Sequence, residues 1–203
     1  QRVSGKWKTS LTVSGLVTLV ASVHYFYMRD VWVTTGSTPT VFRYIDWLIT
    51  VPLLVMEFPL LLNMGKKGHE LFRGLVFWAL VMLVTAWVAE ESPTGSQQWW
   101  TWYVVSCGSW LYIVWMLFTQ VSEGMKSAPP SIADSLGKMR LFVTIGWVIY
   151  PAGFLMALAG DKGESWREIA YNVADVVNKV LFGLVCYQGV KALESQSAEH
   201  RNG

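Results

Sequence analysis

Six apolar stretches, near residues 9–28, 40–64, 71–88, 99–121, 136–158 and 169–191, each approach the roughly 20 residues a helix needs to cross ~30 Å of hydrocarbon. Such a chain has few ways to fold. In lipid every backbone N–H and C=O must be satisfied within the segment itself, and single segments of this length achieve that as helices. Composition agrees: 53% of the 203 residues are hydrophobic and 15% are charged, against about 25% charged in ordinary soluble domains. The reading is an all-α, polytopic membrane protein whose residues 1–203 form one helical-bundle domain. Cys107 and Cys186 fall inside spans, offer neither a disulfide framework nor a zinc-ligand spacing, and read as small buried residues.

Lys and Arg near the span ends set the orientation. One side carries Arg2, Lys6, Lys8, Lys66, Lys67, Arg73, Lys126, Lys138, Arg140, Lys191 and Arg201; the other carries Arg29, Lys162 and Arg167. Both ends of the chain are therefore expected in the cytoplasm, and the second span runs from outside inward. The chain opens at Gln1 on a polar, basic stretch with no signal-peptide pattern, and further sequence upstream is expected.

Charges inside the spans need a reason. The stretch Arg43-Tyr-Ile-Asp-Trp-Leu-Ile-Thr-Val-Pro-Leu-Leu-Val-Met-Glu-Phe58 places an arginine and two carboxylates within one segment. At 100° per residue Asp46 and Thr50 lie about 40° apart, and Asp46 and Glu57 only about 20° apart, separated by roughly 16 Å along the axis. Asp46 is then the outer carboxylate and Glu57 the cytoplasmic one. That arrangement suits a proton relay if a third titratable group lies between them. Lys179, near the middle of the last span with Asp175 one turn before it, is the candidate, and a lysine at that depth must be paired, neutral or covalently modified.

Other features are more ambiguous alone. His24, near the outer end of the first span, reads equally as a packing residue or a functional one. Pro52 interrupts the second span beside its carboxylate face. Met82 lies in the apolar third span. Trp99 and Trp100 read as an interfacial belt, 122–135 as the longest cytoplasmic connection, and 160–165 as a loop. Trp147 and Tyr150, one turn apart beside Pro151, are by spacing more often core than cofactor wall.

Taken together, Arg43, Asp46, Thr50, Glu57, Asp175 and Lys179 resemble the microbial rhodopsins, and the stretches 6–15, 42–54 and 171–184 resemble their green-absorbing proteorhodopsin group. The resemblance runs over the whole chain. It implies a seven-transmembrane-helix rhodopsin bundle, of which six helices are evident and the first family helix is absent. It also implies that Lys179 carries all-trans retinal as a protonated Schiff base, with Asp46 as counterion and proton acceptor, Asp175 as second counterion, and Arg43 offsetting part of their charge. Thr50 would hydrogen-bond near Asp46, His24 would pair with it, and Glu57 would be the internal proton donor. Trp47, Met82, Trp147, Tyr150 and Pro151 would enclose the retinal, and Leu54 stands where green-absorbing members carry leucine.

The function implied is a light-driven outward proton pump, an ion transporter and not an enzyme, in the cell inner (plasma) membrane. A retinal photosensor signalling to a partner is the alternative, and a helical protein without chromophore a third reading; the Asp-Thr-Glu motif argues against a chloride or sodium pump. The expected partners are membrane lipid and further copies in a homo-oligomer. No nucleic acid is expected, nor a carotenoid antenna, because Tyr103 stands where antenna-carrying relatives open a glycine window.

Overall fold

The computed structural model describes residues 5–62 and 64–202, with side chains at all of these except Lys6 and 198–202. Arg2 and the side chains of Lys6 and Arg201, used above for orientation, lie outside the described residues. Every regular element among the described residues is helical. Helix α1 is Gly5–Thr35, α2 is Thr40–Leu61 and α3 is Gly65–Glu90. Helix α4 starts at Gln97–Met116 and runs on through a π-helical turn, Leu117–Val121, into Ser122–Met125. The remainder has no break longer than a turn, and by length and hydropathy Pro130–Ser197 counts as one candidate span of 68 residues.

A 68-residue rod would be ~100 Å long, and the chain avoids it by turning at Gly160, whose φ of 65° lies in the left-handed region that glycine enters without cost. We therefore divide it into α5 (Pro130–Thr144, Gly146–Val148 and Ile149–Met156) and α6 (Gly160–Val176, Val177–Leu181 and Phe182–Asn202). The two lie antiparallel: Tyr171 Oη donates to Tyr150 O at 2.8 Å and Asn178 Nδ2 to Gly146 O at 3.1 Å. Two sequence expectations change here. The supposed loop 160–165 is the first turn of α6, and the supposed connection 122–135 is mostly helix, with Pro130 at the first position of α5, where its missing N–H is harmless.

The outer surface is apolar. Phe26, Phe77, Val104, Leu111, Ile145 and Trp166 are all more than half exposed, as suits a lipid-facing wall. Hydroxyls within the rods bond back to their own carbonyls, as Thr85 does to Val81 O and Ser109 to Val105 O. The interior is a continuous core in which Val55, Phe58, Leu71, Leu75, Ile113, Leu117 and Leu136 have no exposed surface. Trp99 is buried in a smaller separate cluster with Ala89 and Phe154 and not in an interfacial belt. It is 1% exposed and stacks on Phe154 with ring centroids 4.6 Å apart, while Trp100 is exposed.

Gly163 packs against the backbone of α5, so a Cβ there would collide with Met156 O and Ala159 Cβ, whereas a Cβ at Gly108 would meet nothing within 4 Å. Gly163→Ala is expected to cost about 1–3 kcal/mol, and Gly108→Ala less than about 0.5 kcal/mol. Thermal loss of helical circular dichroism in detergent measures both.

Candidate functional site

Helix α2 forms the centre because it is the most buried of the candidate spans. It continues through Pro52 and Pro59, and it buries Arg43, Asp46, Thr50 and Glu57 completely. From α6, Lys179 sits within a π-helical turn with Asp175 four residues before it. The lysine Nζ donates to Asp46 Oδ2 and, at 2.6 Å, to Asp175 Oδ2. Lys179 thus joins Asp175 on its own helix to Asp46 on the second.

The two carboxylates differ in what else holds them. Asp175 accepts from Trp47 Nε1 at 3.1 Å and from Tyr150 Oη at 2.5 Å in addition to Lys179. Among the described residues Asp46 Oδ1 has no hydrogen-bond donor. It faces His24 Nδ1 at 3.6 Å, and that nitrogen donates to Val20 O at 2.9 Å. Thr50 Oγ1 donates to the Asp46 carbonyl at 2.9 Å and leaves the carboxylate alone. Asp175 is committed to three donors and Asp46 to one, so Asp46 is the carboxylate with an oxygen free to take a proton.

Lys179 lines an apolar cavity, and concave, mostly apolar sites with a few polar groups are where small organic ligands bind. Trp47, Leu54, Met82, Trp147, Tyr150, Pro151 and Lys179 all line it. So do residues that sequence reasoning did not single out for this role: Tyr44, Tyr103, Trp110, Phe154 and Tyr171. For Tyr103 the signal was the i, i+4 spacing of aromatic residues along 99–103, which also fits a belt; the other four carried no such signal. The carbonyls freed where α5 is irregular are capped from both neighbours, Val143 O by Trp110 Nε1 at 2.9 Å and Gly146 O by Asn178. The wall facing Lys179 is therefore held at both ends.

Arg43 is not joined to the Asp46–Asp175 pair. Its guanidinium donates to Glu168 and lies 3.9 Å from Glu90 Oε1, which Arg167 approaches to 3.4 Å and Thr40 to 3.1 Å. Side chains of a helix lean toward its N-terminus, and Arg43, one turn inside α2, reaches toward the end where α3 stops and α6 begins. Glu90 and Glu168, unmarked in the sequence reading, form this second carboxylate layer. Glu57 lies apart from this layer. It is held by polar groups, accepting from Ser10 Oγ and from Ser14 Oγ at 2.7 Å, with Cys186 Sγ 3.9 Å away.

The chain that carries this buried lysine between two buried carboxylates resembles known proteins over nearly its whole length. The family model described as bacteriorhodopsin-like protein matches residues 1–193. The chain belongs to that family. It is 44% identical to the green-light absorbing proteorhodopsin of Gamma-proteobacterium EBAC31A08 over 201 residues, covering 97% of this chain and 79% of the relative. Among solved structures, Exiguobacterium sibiricum rhodopsin superposes with a TM-score of 0.88 at 39% identity, covering 96% of this chain and 87% of that one. Xanthorhodopsin, described as a light-driven ion pump with dual chromophore, superposes with a TM-score of 0.86 at 27% identity, covering 97% and 84%. Rhodopsins of this family bind retinal, and the cavity suits it: it is apolar, walled by aromatic rings and lined in part by Lys179.

Removing the shared cation leaves two buried carboxylates facing each other. In chain expressed without retinal, Lys179→Met is expected to destabilise by about 3–5 kcal/mol, the usual cost of removing one partner of a buried pair. Adding Asp46→Asn should recover most of the loss. Unfolding free energies of the parent, the two single variants and the double variant, compared as a double-mutant cycle, measure it.

Proposed function

We propose that the chain is a light-driven proton pump working outward, with all-trans retinal joined to Lys179 Nζ. The observation that carries this reading is the placement of Lys179 between a loosely held and a firmly held carboxylate, with a third carboxylate further along the same face of α2. Bound retinal supplies absorption of visible light and a change of shape that turns the direction in which Lys179 Nζ faces. Everything else is work for the protein. Asp46, already in contact with the nitrogen, takes its proton, because its Oδ1 is free to bind one. Asp175, fixed by Trp47 and Tyr150, keeps its charge beside Lys179 throughout. Trp47, Trp147, Tyr150 and Pro151 confine the cavity, so that the shape change is spent on the nitrogen and not on the wall. Glu57 then returns a proton to Lys179 Nζ.

Direction follows from which carboxylate lies on which side. The excess of Lys and Arg around Lys66, Lys67, Lys126, Lys138 and Arg140 supports a cytoplasmic assignment for the Glu57 end. The proton that leaves by Asp46 next meets the layer of Arg43, Glu90 and Glu168 on the outer side. Leu54, in contact with the cavity, supports green absorption. The functional test is direct: unbuffered cells expressing the chain with retinal should acidify the medium on illumination, and a protonophore should abolish the change. A pigment that absorbs light and produces no protonophore-sensitive acidification would favour the photosensor.

Two variants refine this. Asp46→Asn removes a counterion, so its pigment should absorb at longer wavelength and lose the red shift that acid produces in the parent; a spectral titration of both proteins shows whether it does. Glu57→Gln keeps the shape and loses the proton, so deprotonation of Lys179 Nζ after a flash should stay fast while its reprotonation slows at least about tenfold and responds to azide. Reprotonation at the parental rate would remove the donor role. We also propose that no carotenoid antenna binds beside the cavity. Tyr103 donates to Pro151 O at 3.3 Å and stacks on Phe154, filling that wall. Excitation spectra after addition of a hydroxylated carotenoid should show no energy-transfer band.

A further inference from the structure

Away from the pair around Lys179 lies a second polar cluster, made where α1, α2 and α6 meet. Ser10, Glu57 and Cys186 have no exposed surface. Ser10 Oγ donates to Glu57 Oε2, Ser14 Oγ donates to Oε1 at 2.7 Å, and Cys186 Sγ lies 3.2 Å from Ser10 Oγ and 3.9 Å from Oε2. In the Ser10–Cys186 contact either atom can be the donor. A carboxyl group that repeatedly loses and regains a proton makes opposite demands on its neighbours: ionised it only accepts, whereas protonated it must place an O–H.

The Ser10–Cys186 pair can meet both demands. With Glu57 ionised, the Ser10 hydroxyl points at Oε2 and the thiol hydrogen points at Ser10 Oγ. With Oε2 protonated, its O–H donates to Ser10 Oγ and the Ser10 hydrogen turns to the sulfur. Thiols are weak donors and weak acceptors, so neither direction is strongly preferred and the reversal is cheap.

We propose that Cys186 is a positioning residue for Glu57: through Ser10, its thiol takes whichever hydrogen-bonding role the protonation state of Glu57 requires, and so sets how readily Glu57 regains its proton. This rests on Glu57 being the internal donor. No bond other than O–H is made or broken, and the proton that Glu57 loses to Lys179 Nζ is replaced from the Glu57 end.

Light-minus-dark infrared difference spectroscopy of the retinal-loaded full chain tests it. The Glu57 carboxyl stretch is identified by its loss in Glu57→Gln, and the Cys186 S–H stretch by its loss in Cys186→Ala. The S–H band should shift in step with the carboxyl band. In Cys186→Ala the Ser10 hydrogen has only Oε2 to turn to, so recovery of protonated Glu57 should slow about three- to tenfold, the effect of one weak hydrogen bond. Cys186→Ser should restore the parental rate. An S–H band that stays silent through the cycle, or unchanged recovery in Cys186→Ala, overturns the inference. Should Cys186→Ala fail to form pigment, Ser10→Ala interrogates the same chain: both bands persist and their coupling should be lost, and retained coupling overturns the inference equally. If Glu57→Gln leaves reprotonation of Lys179 at the parental rate, the donor reading falls and this inference with it. A slowed Glu57→Gln with a silent thiol removes this inference alone.

Discussion

The fold is organised around one cation that cannot be left alone. The Lys179 ammonium is out of reach of water and is tolerated because Asp46 and Asp175 both accept from it. That requirement ties α2 to α6 across the core through side chains. Asp175 brings in Trp47 and Tyr150 as donors, and Tyr150 ties α5 to the same point. A buried ion pair is weak evidence for stability in itself. Here it specifies which helix faces must point at each other across the core, and aromatic rings pack around it.

Charge is handled in three layers along α2, and the layers differ in how completely each group is satisfied. At one end Arg43 and Arg167 are interleaved with Glu90 and Glu168, two cations and two anions. In the middle one cation is shared by two unequally held anions. At the other end a single carboxyl is supported by two hydroxyls and a thiol, with no cation among the described partners. A carboxyl with neutral partners can change protonation without stranding a counter-charge, while a group inside a balanced cluster cannot. This gradient distinguishes the three layers more sharply than distance along the helix does.

How much of this was legible in the sequence depended on periodicity. Apolar run length located every rod, and the four-residue step from Asp175 to Lys179 and the eleven-residue step from Asp46 to Glu57 place charges on shared helix faces by periodicity alone. Contacts across helices were less legible. Nothing in spacing says that a long arginine near the start of α2 reaches Glu168 and not Asp46, or that two serines on α1 meet Glu57. The extent of α6 was missed because Asp161, Lys162, Glu164 and Arg167 look like a polar loop, yet a polar turn of helix at a membrane boundary has the same composition. Cys186 was read as small and apolar, which is correct for its burial and silent about its neighbour. What the resemblance added was the role of the cavity, since aromatic residues one turn apart serve equally well as core.

The turn at Gly160 bears on how such a chain enters a membrane at all. Helix α6 carries Arg167, Glu168, Asp175, Asn178 and Lys179, all buried in the finished bundle, and a rod with that many polar groups has no stable place in hydrocarbon by itself. Its satisfying partners lie on α5, joined to it by a reversal at one glycine, and on α2 and α3, made earlier in the chain. Insertion of the last two rods as a single helical hairpin, against helices already in place, lets those groups leave water and meet their partners in one event. The order of elements along the chain is thus also an order in which the charges can be hidden.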